Sequence, residues 1–385
     1  MKRMTVTLIC LALGLGLLSL STPLAWASAI PAQPASAIVA PQPADGLIAH
    51  WPFDEGTGNM AADASGKGHT GTLYGASWVN GKVGKALSFN GQNNYVRVED
   101  APDLSGMAQL TLEAWVYPRG QTRSWQKIII KPSNALCNDK ISYVFFWREN
   151  PYIGRDRYAS TIQNELNADY SIELATTPSS LDNGWHHFAF TYDGATLHAY
   201  VDGVVDANSI SASGSVRATT SPLFIGVGVG WCSVNEFFYG YLDEVKMYSR
   251  ARTSNEIAID AGVLIPATLD IDPDTINLKS NAKWITAYIE LPAGSLAADI
   301  DLSTVRLQGT IPAVTDPKYG FATNSAEYLI DHDSDGILER LVKFDGQAVR
   351  DYIRAQGAPD SVTLTVTGKA AGTSFTGEDT VKVLK

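Results

Sequence analysis

The feature that most constrains this chain is a long succession of short runs in which apolar residues alternate with polar ones. Between residues 46 and 262 these runs include 110–116 and 185–192, and each run is ended by Gly, Asn or Asp. Asp193-Gly194 and Asp202-Gly203 are hairpin turn pairs, since glycine accepts a positive φ at no steric cost. Many short strands with regular turn signals predict an all-β sandwich or barrel.

The pattern returns after a hinge expected at residues 263–267. Residues 268–385 again contain strand-like runs, with one helix predicted near 347–356. We expect a second, smaller antiparallel β-sandwich of immunoglobulin-like type over 268–385. In the first unit the clear helix is short, because Thr253 and Glu256 form a capping-box pair that would open a helix over 254–260.

The N-terminus has the three parts of a secretory signal. Lys2 and Arg3 precede an apolar stretch over 8–20, and Ala25-Trp26-Ala27 offers a cleavage site. That stretch is shorter than the roughly 20 residues that a membrane span needs. We therefore predict a signal peptide over 1–27, an Ala/Pro-rich linker over 28–45, and a secreted or cell-surface protein that does not insert into the membrane after cleavage. The alternative is an uncleaved N-terminal anchor.

Charge and cysteine content narrow the class of partner. The net charge of −11 becomes −13 when Lys2 and Arg3 leave with the signal peptide, and the absence of a basic run argues against nucleic acid as a partner.

The cysteine content predicts a disulfide bond. Cys10 also leaves with the signal peptide, so Cys137 and Cys232 remain as an even pair in an oxidising compartment. We expect a disulfide between them, with two free thiols as the alternative.

Several motifs recur in a recognisable order. They are IAHWPFDEGTG at 48–58, GKALSFNG at 84–91, LEAWV at 112–116, WHHF at 185–188 and GYLDEVKMY at 240–248. Together they resemble the laminin G-like, or concanavalin A-like, jelly-roll family over about 45–262. The resemblance implies two curved antiparallel sheets, one of which forms a shallow groove that receives sugars or protein partners.

The resemblance also implies one structural calcium ion between the opening and closing segments of this domain. Asp54 and Asp243 stand at the matching positions, and the backbone carbonyl near Gly91 is a third candidate ligand. Calcium prefers several oxygen ligands, which carboxylates and loop carbonyls supply. The alternative is that Asp54 and Asp243 are turn and strand-end residues that make only hydrogen bonds.

Catalysis is not expected. The same fold includes bacterial β-glucanases, and retaining glycosidases need two carboxylates about 5 Å apart across a groove. The sequence has no Glu-x-Asp-x-Glu run of the kind these enzymes place on one strand, and Glu113 is isolated within its strand. His186 and His187 are adjacent on a strand, so their side chains point to opposite faces and cannot share one metal ion. We assign no catalytic residue.

Aromatic residues and arginines mark a candidate binding rim. Trp125, Arg155, Arg157 and Trp231 stand in apparent loops, where binding residues concentrate. Aromatic planes stack on sugar rings, and arginine donates paired hydrogen bonds to hydroxyls or carboxylates. Tyr143, Phe145 and Trp147 share one face of a predicted strand, and the alternative is that this face is core.

The second unit contains an acidic loop, DHDSDGILE at 331–339. Asp331, Asp333 and Asp335 direct three carboxylates to one point, the carbonyl of Ile337 can join them, and Glu339 closes the loop at its ninth position. An EF-hand needs Glu at the twelfth position, where Val342 stands, so the loop resembles the shorter calcium loops of extracellular repeats. The alternative is an acidic hairpin turn.

These features favour a secreted, non-catalytic binding protein that recognises an extracellular glycan or glycoprotein, with calcium as a structural cofactor. The main alternative is a structural or adhesive role at the cell surface through contacts with other surface proteins. A glycan-active enzyme is the third possibility.

Overall fold

Short strands joined by tight turns make up most of the chain. The computed structural model describes residues 46–120, 125–133, 141–150, 155–175, 184–230, 233–293, 295–322 and 326–385. The strands up to residue 250 are β1 Leu47–Trp51, β2 Met60–Ala61, β3 Gly71–Tyr74, β4 Ser77–Asn80, β5 Lys85–Asn90, β6 Tyr95–Val98, β7 Leu110–Pro118, β8 Trp125–Pro132, β9 Ile141–Asn150, β10 Arg155–Gln163, β11 Asp169–Glu173, β12 His186–Tyr192, β13 Thr196–Val201, β14 Val204–Ser211, β15 Leu223–Ile225, β16 Gly228–Gly230, β17 Ser233–Asn235 and β18 Tyr239–Tyr248.

These strands form two eight-stranded antiparallel sheets and a small ribbon. Sheet I has the order β14-β13-β12-β7-β18-β5-β4, with β1 paired to β18. Sheet II has the order β11-β10-β9-β8-β15-β6-β3-β2, and β16 pairs with β17 in the ribbon. This two-sheet arrangement confirms the predicted sandwich.

The two sheets enclose one hydrophobic core, because alternate residues of each strand face the interior. Trp51 and Phe188 lie in this core with Tyr143, Phe145 and Trp147 of β9. The aromatic face of β9 is therefore core, as the alternative interpretation held, and binds no ligand at the surface.

The turn chemistry predicted from the sequence is present. Asp202 and Gly203 both have a positive φ, of 49° and 79°, in the hairpin between β13 and β14. Such a turn matches the twist of the two strands that it joins. At the other hairpin the amide of Asp193 donates to the carbonyl of Thr196 at 3.2 Å, and Gly194 has a φ of 97°.

Helix α1, Ser254–Asp260, begins with the predicted capping box. The Thr253 side chain accepts a hydrogen bond from the amide of Glu256, and the Glu256 carboxylate accepts one from the amide of Thr253. The helix covers part of the outer face of sheet I, where Ile257 packs against Ala189 and Tyr200.

The rest of the chain builds a smaller two-sheet structure around its own core. Its strands are β19 Leu264–Pro266, β20 Thr268–Asp272, β21 Thr275–Asn277, β22 Trp284–Glu290, β23 Arg306–Leu307, β24 Ile311–Pro312, β25 Leu329–Ile330, β26 Glu339–Asp345, β27 Ser361–Ala370 and β28 Thr373–Leu384. Helix α2, Gly346–Ala355, lies close to the predicted bounds. In the described part of this structure, 3₁₀ turns cover Ala297–Asp299, Leu302–Thr304, Gly320–Ala322 and Ala326–Tyr328, and the first sandwich has one at Pro102–Leu104.

Sheet III has the order β19-β28-β27-β23-β24, and sheet IV has the order β20-β22-β26-β25. Their shared core contains Ile285, Phe344 and Phe375. This part is compatible with the immunoglobulin-like prediction but is not purely antiparallel, because β19 and β21 pair in parallel with β28. The expected hinge at 263–267 contains β19 and so is joined to sheet III, while the two domain boundaries stay predictions.

Among the described residues, neither helix approaches the length and apolarity that a membrane crossing requires.

Candidate functional site

A row of aromatic side chains crosses the outer face of sheet II, and we call it the aromatic band. Its members are Tyr74, Tyr95, Trp125, Phe146 and Phe224. Tyr74 stacks on Tyr95 with ring centroids 4.5 Å apart, and Tyr95 meets Phe224 at 6.2 Å. Trp125 packs against Phe146 at 5.5 Å, and Phe146 and Phe224 belong to one buried cluster. The sequence did not reveal this band, because its members come from five strands that are distant along the chain.

The two ends of the band are exposed to solvent. Val227 and Phe237 pack on its middle, whereas Trp125 is 39% exposed and Tyr74 is 40% exposed. At the Trp125 end the Lys127 ammonium lies 5.0 Å from the Trp125 ring centroid and 3.2 Å from the Glu236 carboxylate. An exposed indole can stack on a ligand. The ammonium and the carboxylate beside it can form hydrogen bonds with the ligand's acceptors and donors.

The predicted binding residues do not all lie where the sequence suggested. Trp125 is the first residue of β8, and Arg155 and Arg157 lie within β10, so their assignment to loops is wrong. Trp231, Cys137 and Cys232 fall outside the described residues.

The register of sheet II nevertheless brings two of these positions into one row. Trp125 of β8 is the cross-strand partner of Arg148 in β9, and Arg148 is the partner of Arg157 in β10. Arg155 pairs with Asn150, one step further along the same two strands. The row therefore places an exposed tryptophan and two arginine positions on adjacent strands at the same end of sheet II.

The outer face of sheet I carries buried charge beneath helix α1. Glu113 contacts Arg252, which also contacts Asp260 of the helix, and the second carboxylate oxygen of Glu113 lies 3.7 Å from His187 Nε2. Burial, with the nearby Asp260 carboxylate, raises the pKa of Glu113. Burial also lowers the pKa of His187 to about 4. Because Glu113 and His187 are each 2% exposed, a substrate has no access to them.

The two adjacent histidines have separate roles, as predicted from strand geometry. His186 Nδ1 lies 2.8 Å from the Asp202 carboxylate, whereas His187 lies beside Glu113 on the opposite face of β12. This arrangement confirms that the two side chains point to opposite faces of β12.

Asp54 and Asp243 both hold the turn between β4 and β5. The Asp54 carboxylate accepts a hydrogen bond from the amide of Lys85 at 2.7 Å, and Asp243 Oδ2 accepts from the amides of Lys82 and Val83 at 2.8 and 3.0 Å. Both carboxylates therefore lie against one turn. Gly91, the third predicted ligand, lies at the opposite end of β5, where its amide donates to the carbonyl of Phe238. Its grouping with Asp54 and Asp243 is therefore wrong, because a strand of six residues separates it from this turn.

Asp243 has an unsatisfied oxygen that fits a cation. Its side chain is fully buried, and Oδ1 has no hydrogen-bond partner among the residues that the structure describes. Burial raises the pKa of this carboxyl to about 7, and the neighbouring Glu244 adds to the shift. A buried carboxylate oxygen without a donor is costly unless a proton or a metal ion satisfies it. The residues present therefore fit a calcium ion at this turn.

The acidic loop brings its carboxylates together as the sequence predicted. Oxygens of Asp331, Asp333 and Asp335 lie within 4.8 Å of one another. Gly336 has a φ of 93°, and its amide donates to Asp331 Oδ2 at 3.2 Å. A residue with a side chain rarely adopts this backbone conformation, so the glycine at this position lets the loop close.

A second group of carboxylates shares Asp333 and was missed in the sequence. Oxygens of Glu290, Asp333 and Glu339 also lie within 4.8 Å of one another, around a cavity of about 60 Å³. Glu339 is buried, and its Oε2 accepts a hydrogen bond from the amide of His332 at 2.8 Å. Glu290 comes from β22, some forty residues earlier, so no local motif could include it.

Two members of the predicted motif have other surroundings. Ile337 is exposed, and its amide donates to Asp335 Oδ1 at 2.8 Å. The His332 ring stacks on Tyr288 with centroids 3.7 Å apart, and its Nε2 lies 3.2 Å from Asp270. His332 thus packs on the sheet beside the carboxylates.

Comparison with known proteins supports the first sandwich. Residues 90–258 match the Laminin_G_3 family model, described as the concanavalin A-like lectin/glucanases superfamily. Human pappalysin-1 is 28% identical over 193 residues, which is 46% of this chain and 11% of pappalysin-1, and the mouse protein is 25% identical over the same length. The chain thus spans only a small part of these curated relatives.

Two solved structures have similar folds. One is domain 4 of a GH43 extracellular arabinanase from Geobacillus stearothermophilus in complex with arabinotriose, at 22% identity and a TM-score of 0.43; the match covers 56% of this chain and 98% of that one. The other is the binding domain of botulinum neurotoxin serotype G, at 12% identity and a TM-score of 0.45; the match covers 88% of this chain and 98% of that one.

Proposed function

Residues 90–258 form a laminin G-like domain of the concanavalin A-like lectin superfamily, and from this premise we propose that the chain is a secreted, non-catalytic protein that binds an extracellular glycan or glycoprotein. The observation that carries the proposal is the exposed Trp125 at the end of the aromatic band on sheet II. Its ring offers a flat apolar plane of the kind that stacks on a sugar, and the Lys127 ammonium lies over the ring, 5.0 Å from its centroid.

The choice of sheet II over sheet I follows from what covers each sheet. Helix α1 packs on sheet I and buries Glu113 and His187 beneath it. On sheet II the Trp125 end remains exposed, and the register sets it in one row with the Arg148 and Arg157 positions. Arginine side chains at these positions would donate to sugar hydroxyls or carboxylates beside the stacked ring.

The proposed absence of catalysis rests on the surroundings of Glu113. Glycoside hydrolysis needs two carboxylates that reach the same bond from a groove. Glu113 is buried, it is held by Arg252, and α1 separates it from solvent. A glycan bound to the outer face of sheet II would therefore be held without being cleaved.

Calcium is part of the proposal as a structural ion at two places. At the first, Asp54 and Asp243 would hold it beside the turn between β4 and β5. At the second, the carboxylates of Asp331, Asp333, Asp335 and Glu339 would hold it with the Ile337 carbonyl, and Glu290 joins them from β22. Calcium is large and accepts six to eight oxygen ligands, which suits both carboxylate-rich settings.

We also propose that the chain is exported from the cell. The signal peptide over 1–27 would direct the chain out of the cell, where a Cys137–Cys232 disulfide would form. Peptide mapping of the secreted chain without reduction tests both: we expect a mature N-terminus at Ser28 and one peptide pair linked by disulfide. Two freely alkylated thiols would rule out the linkage.

The direct test of the proposed function is a glycan array probed with the full mature chain in calcium and again in chelator. We expect selective binding to one class of sugar. Loss in chelator would tie the binding surface to a calcium site, and retention would leave calcium a structural role only. A blank array from the folded chain would contradict sugar recognition and favour the adhesive alternative, in which the sandwiches bind other surface proteins.

A further inference from the structure

A second cluster of aromatic rings and lysines lies on the outer face of sheet IV, and neither the family match nor the proposed function involves it. We call it the lysine–aromatic patch and define it by Lys283, Trp284, Lys318, Tyr319, Phe321 and Lys343. Trp284 opens β22, and Ile285, which follows it, faces the core. Lys343 of β26 is the cross-strand partner of Thr286, two residues beyond Trp284. Since alternate residues share a face, Trp284 and Lys343 lie on the side away from the core.

The connection before β25 brings the other rings to the same place. The carbonyl of Lys343 accepts a hydrogen bond from the amide of Val314 at 2.8 Å, which ties the segment carrying Tyr319 and Phe321 to β26. The Tyr319 and Phe321 rings are parallel, with centroids 5.4 Å apart, and each meets the Trp284 ring at a steep angle, at 5.3 and 5.8 Å. All three rings are half-buried, so the patch presents aromatic surface to solvent.

Three lysines surround these rings. The Lys283 ammonium lies 4.7 Å from the Trp284 centroid and 4.8 Å from that of Tyr319, while Lys318 and Lys343 lie 4.9 and 5.4 Å from the Tyr319 and Phe321 centroids. Lys283 Nζ also donates to the Tyr319 hydroxyl at 2.8 Å, and this hydrogen bond lowers the pKa of Tyr319. The patch therefore brings three lysines together on a chain whose net charge is −11.

The charges of the patch are not neutralised within the part of the chain that the structure describes. Lys318 pairs with Asp316, but Lys283 and Lys343 form no ion pair with a described carboxylate. The nearby Asp345 caps helix α2 by accepting from the amide of Ala348 at 2.9 Å. The Lys283 and Lys343 ammonium groups, beside half-buried rings, thus remain available to an anionic ligand.

From this geometry we propose that the lysine–aromatic patch binds an acidic polysaccharide, one that carries carboxylate or sulfate groups on its sugar rings. The aromatic rings contact the apolar C–H face of a sugar, and the Lys283 and Lys343 ammonium groups pair with its anionic groups. A neutral glycan would use only the rings, and an acidic peptide only the charges. This site is independent of the Trp125 surface.

Affinity electrophoresis of the full chain tests the inference, with polygalacturonate, dextran sulfate, neutral dextran or poly-glutamate in the gel. We expect retardation by an acidic polysaccharide and none by dextran, and the stronger of the two acidic gels identifies carboxylate or sulfate as the anion. The double variant Lys283→Met/Lys343→Met keeps the aliphatic stems and should bind roughly tenfold more weakly.

The matched control is Lys369→Met/Lys382→Met, which removes the same charge from exposed lysines of sheet III and should bind like wild type. Trp125→Ala should also leave this binding unchanged, which separates the inference from the proposed function. No retardation in either acidic gel, equal loss in both double variants, or equally strong retardation by poly-glutamate would each overturn the proposal.

Discussion

His187 and Glu113 lie side by side beneath helix α1, and their surroundings determine which protonation state each prefers. Removal of a charged group from water disfavours its charged form. For His187 the result is a pKa lowered to about 4, and no group in the described part of the chain forms a hydrogen bond with its Nδ1. For Glu113 burial raises the pKa, so the two groups depend on pH in opposite ways.

The lowered pKa of His187 predicts a loss of stability in acid. Between pH 6.5 and about 4, His187 is protonated in the unfolded chain but not in the folded chain. The free energy of unfolding therefore decreases as the pH falls through this range. The full effect of such a shift is up to about 3 kcal/mol. Urea titrations at several pH values should show that His187→Gln loses less stability than wild type as the pH falls from 6.5 to about 4. Parallel curves for the two proteins would contradict the assignment.

Single residues were predictable where one local rule determines the conformation. Gly203 in its turn, Thr253 at its helix cap and the opposed pair His186 and His187 follow from backbone geometry alone. Glu290 and Lys127 were not predictable, because their partners come from other strands and depend on the register between them.

At the scale of elements, helix α1 is short and depends on its first turn. Both halves of the capping box are formed between Thr253 and Glu256, and Ile257 is buried against sheet I. Isolated helices of this length are unstable in water, so the cap and this packing hold the helix in place.

Thr253→Ala removes the side-chain acceptor for the amide of Glu256, and we expect a loss of about 1 kcal/mol in the free energy of unfolding. Thr253→Ser keeps the hydroxyl and should lose less than half of that. Chemical denaturation measures both variants. Equal losses would show that the methyl group, not the cap, stabilises the helix.

For the acidic loop the prediction concerns ligand-linked stability. Asp333 belongs to both carboxylate groups, so Asp333→Asn should abolish most of the increase in melting temperature that calcium gives the wild-type chain. Asp351→Asn, on exposed helix α2, is the control and should keep the increase. A calcium response that Asp333→Asn leaves unchanged would assign the ion to the turn held by Asp54 and Asp243, or to neither place.

Elements were predictable where apolar alternation is strong and less so where it is weak. Helix α2 was placed within one residue, whereas β10 was taken for loop because charged residues occupy its start. The parallel pairing of β19 and β21 with β28 leaves no mark in local sequence, since the partner strand lies a hundred residues away.

For the whole molecule, the motif order predicted the first sandwich because each motif marks a strand or turn that the fold requires. The binding surface depends instead on which face of each sheet remains uncovered. Helix α1 covers part of sheet I, and Val227 and Phe237 cover the middle of the band on sheet II. Only the assembled sheets identify the Trp125 end as the exposed one.

The most direct test of this account is a calorimetric titration of the array's best glycan into wild type, Trp125→Ala and Trp185→Ala. Trp185 is the matched control, a half-buried tryptophan that contacts Tyr117 and Tyr241 of sheet I. Loss of a stacking ring should cost Trp125→Ala about 1–3 kcal/mol of binding free energy, and Trp185→Ala should bind like wild type. Full affinity in Trp125→Ala together with weakened binding in Trp185→Ala would contradict the account and move the site to sheet I.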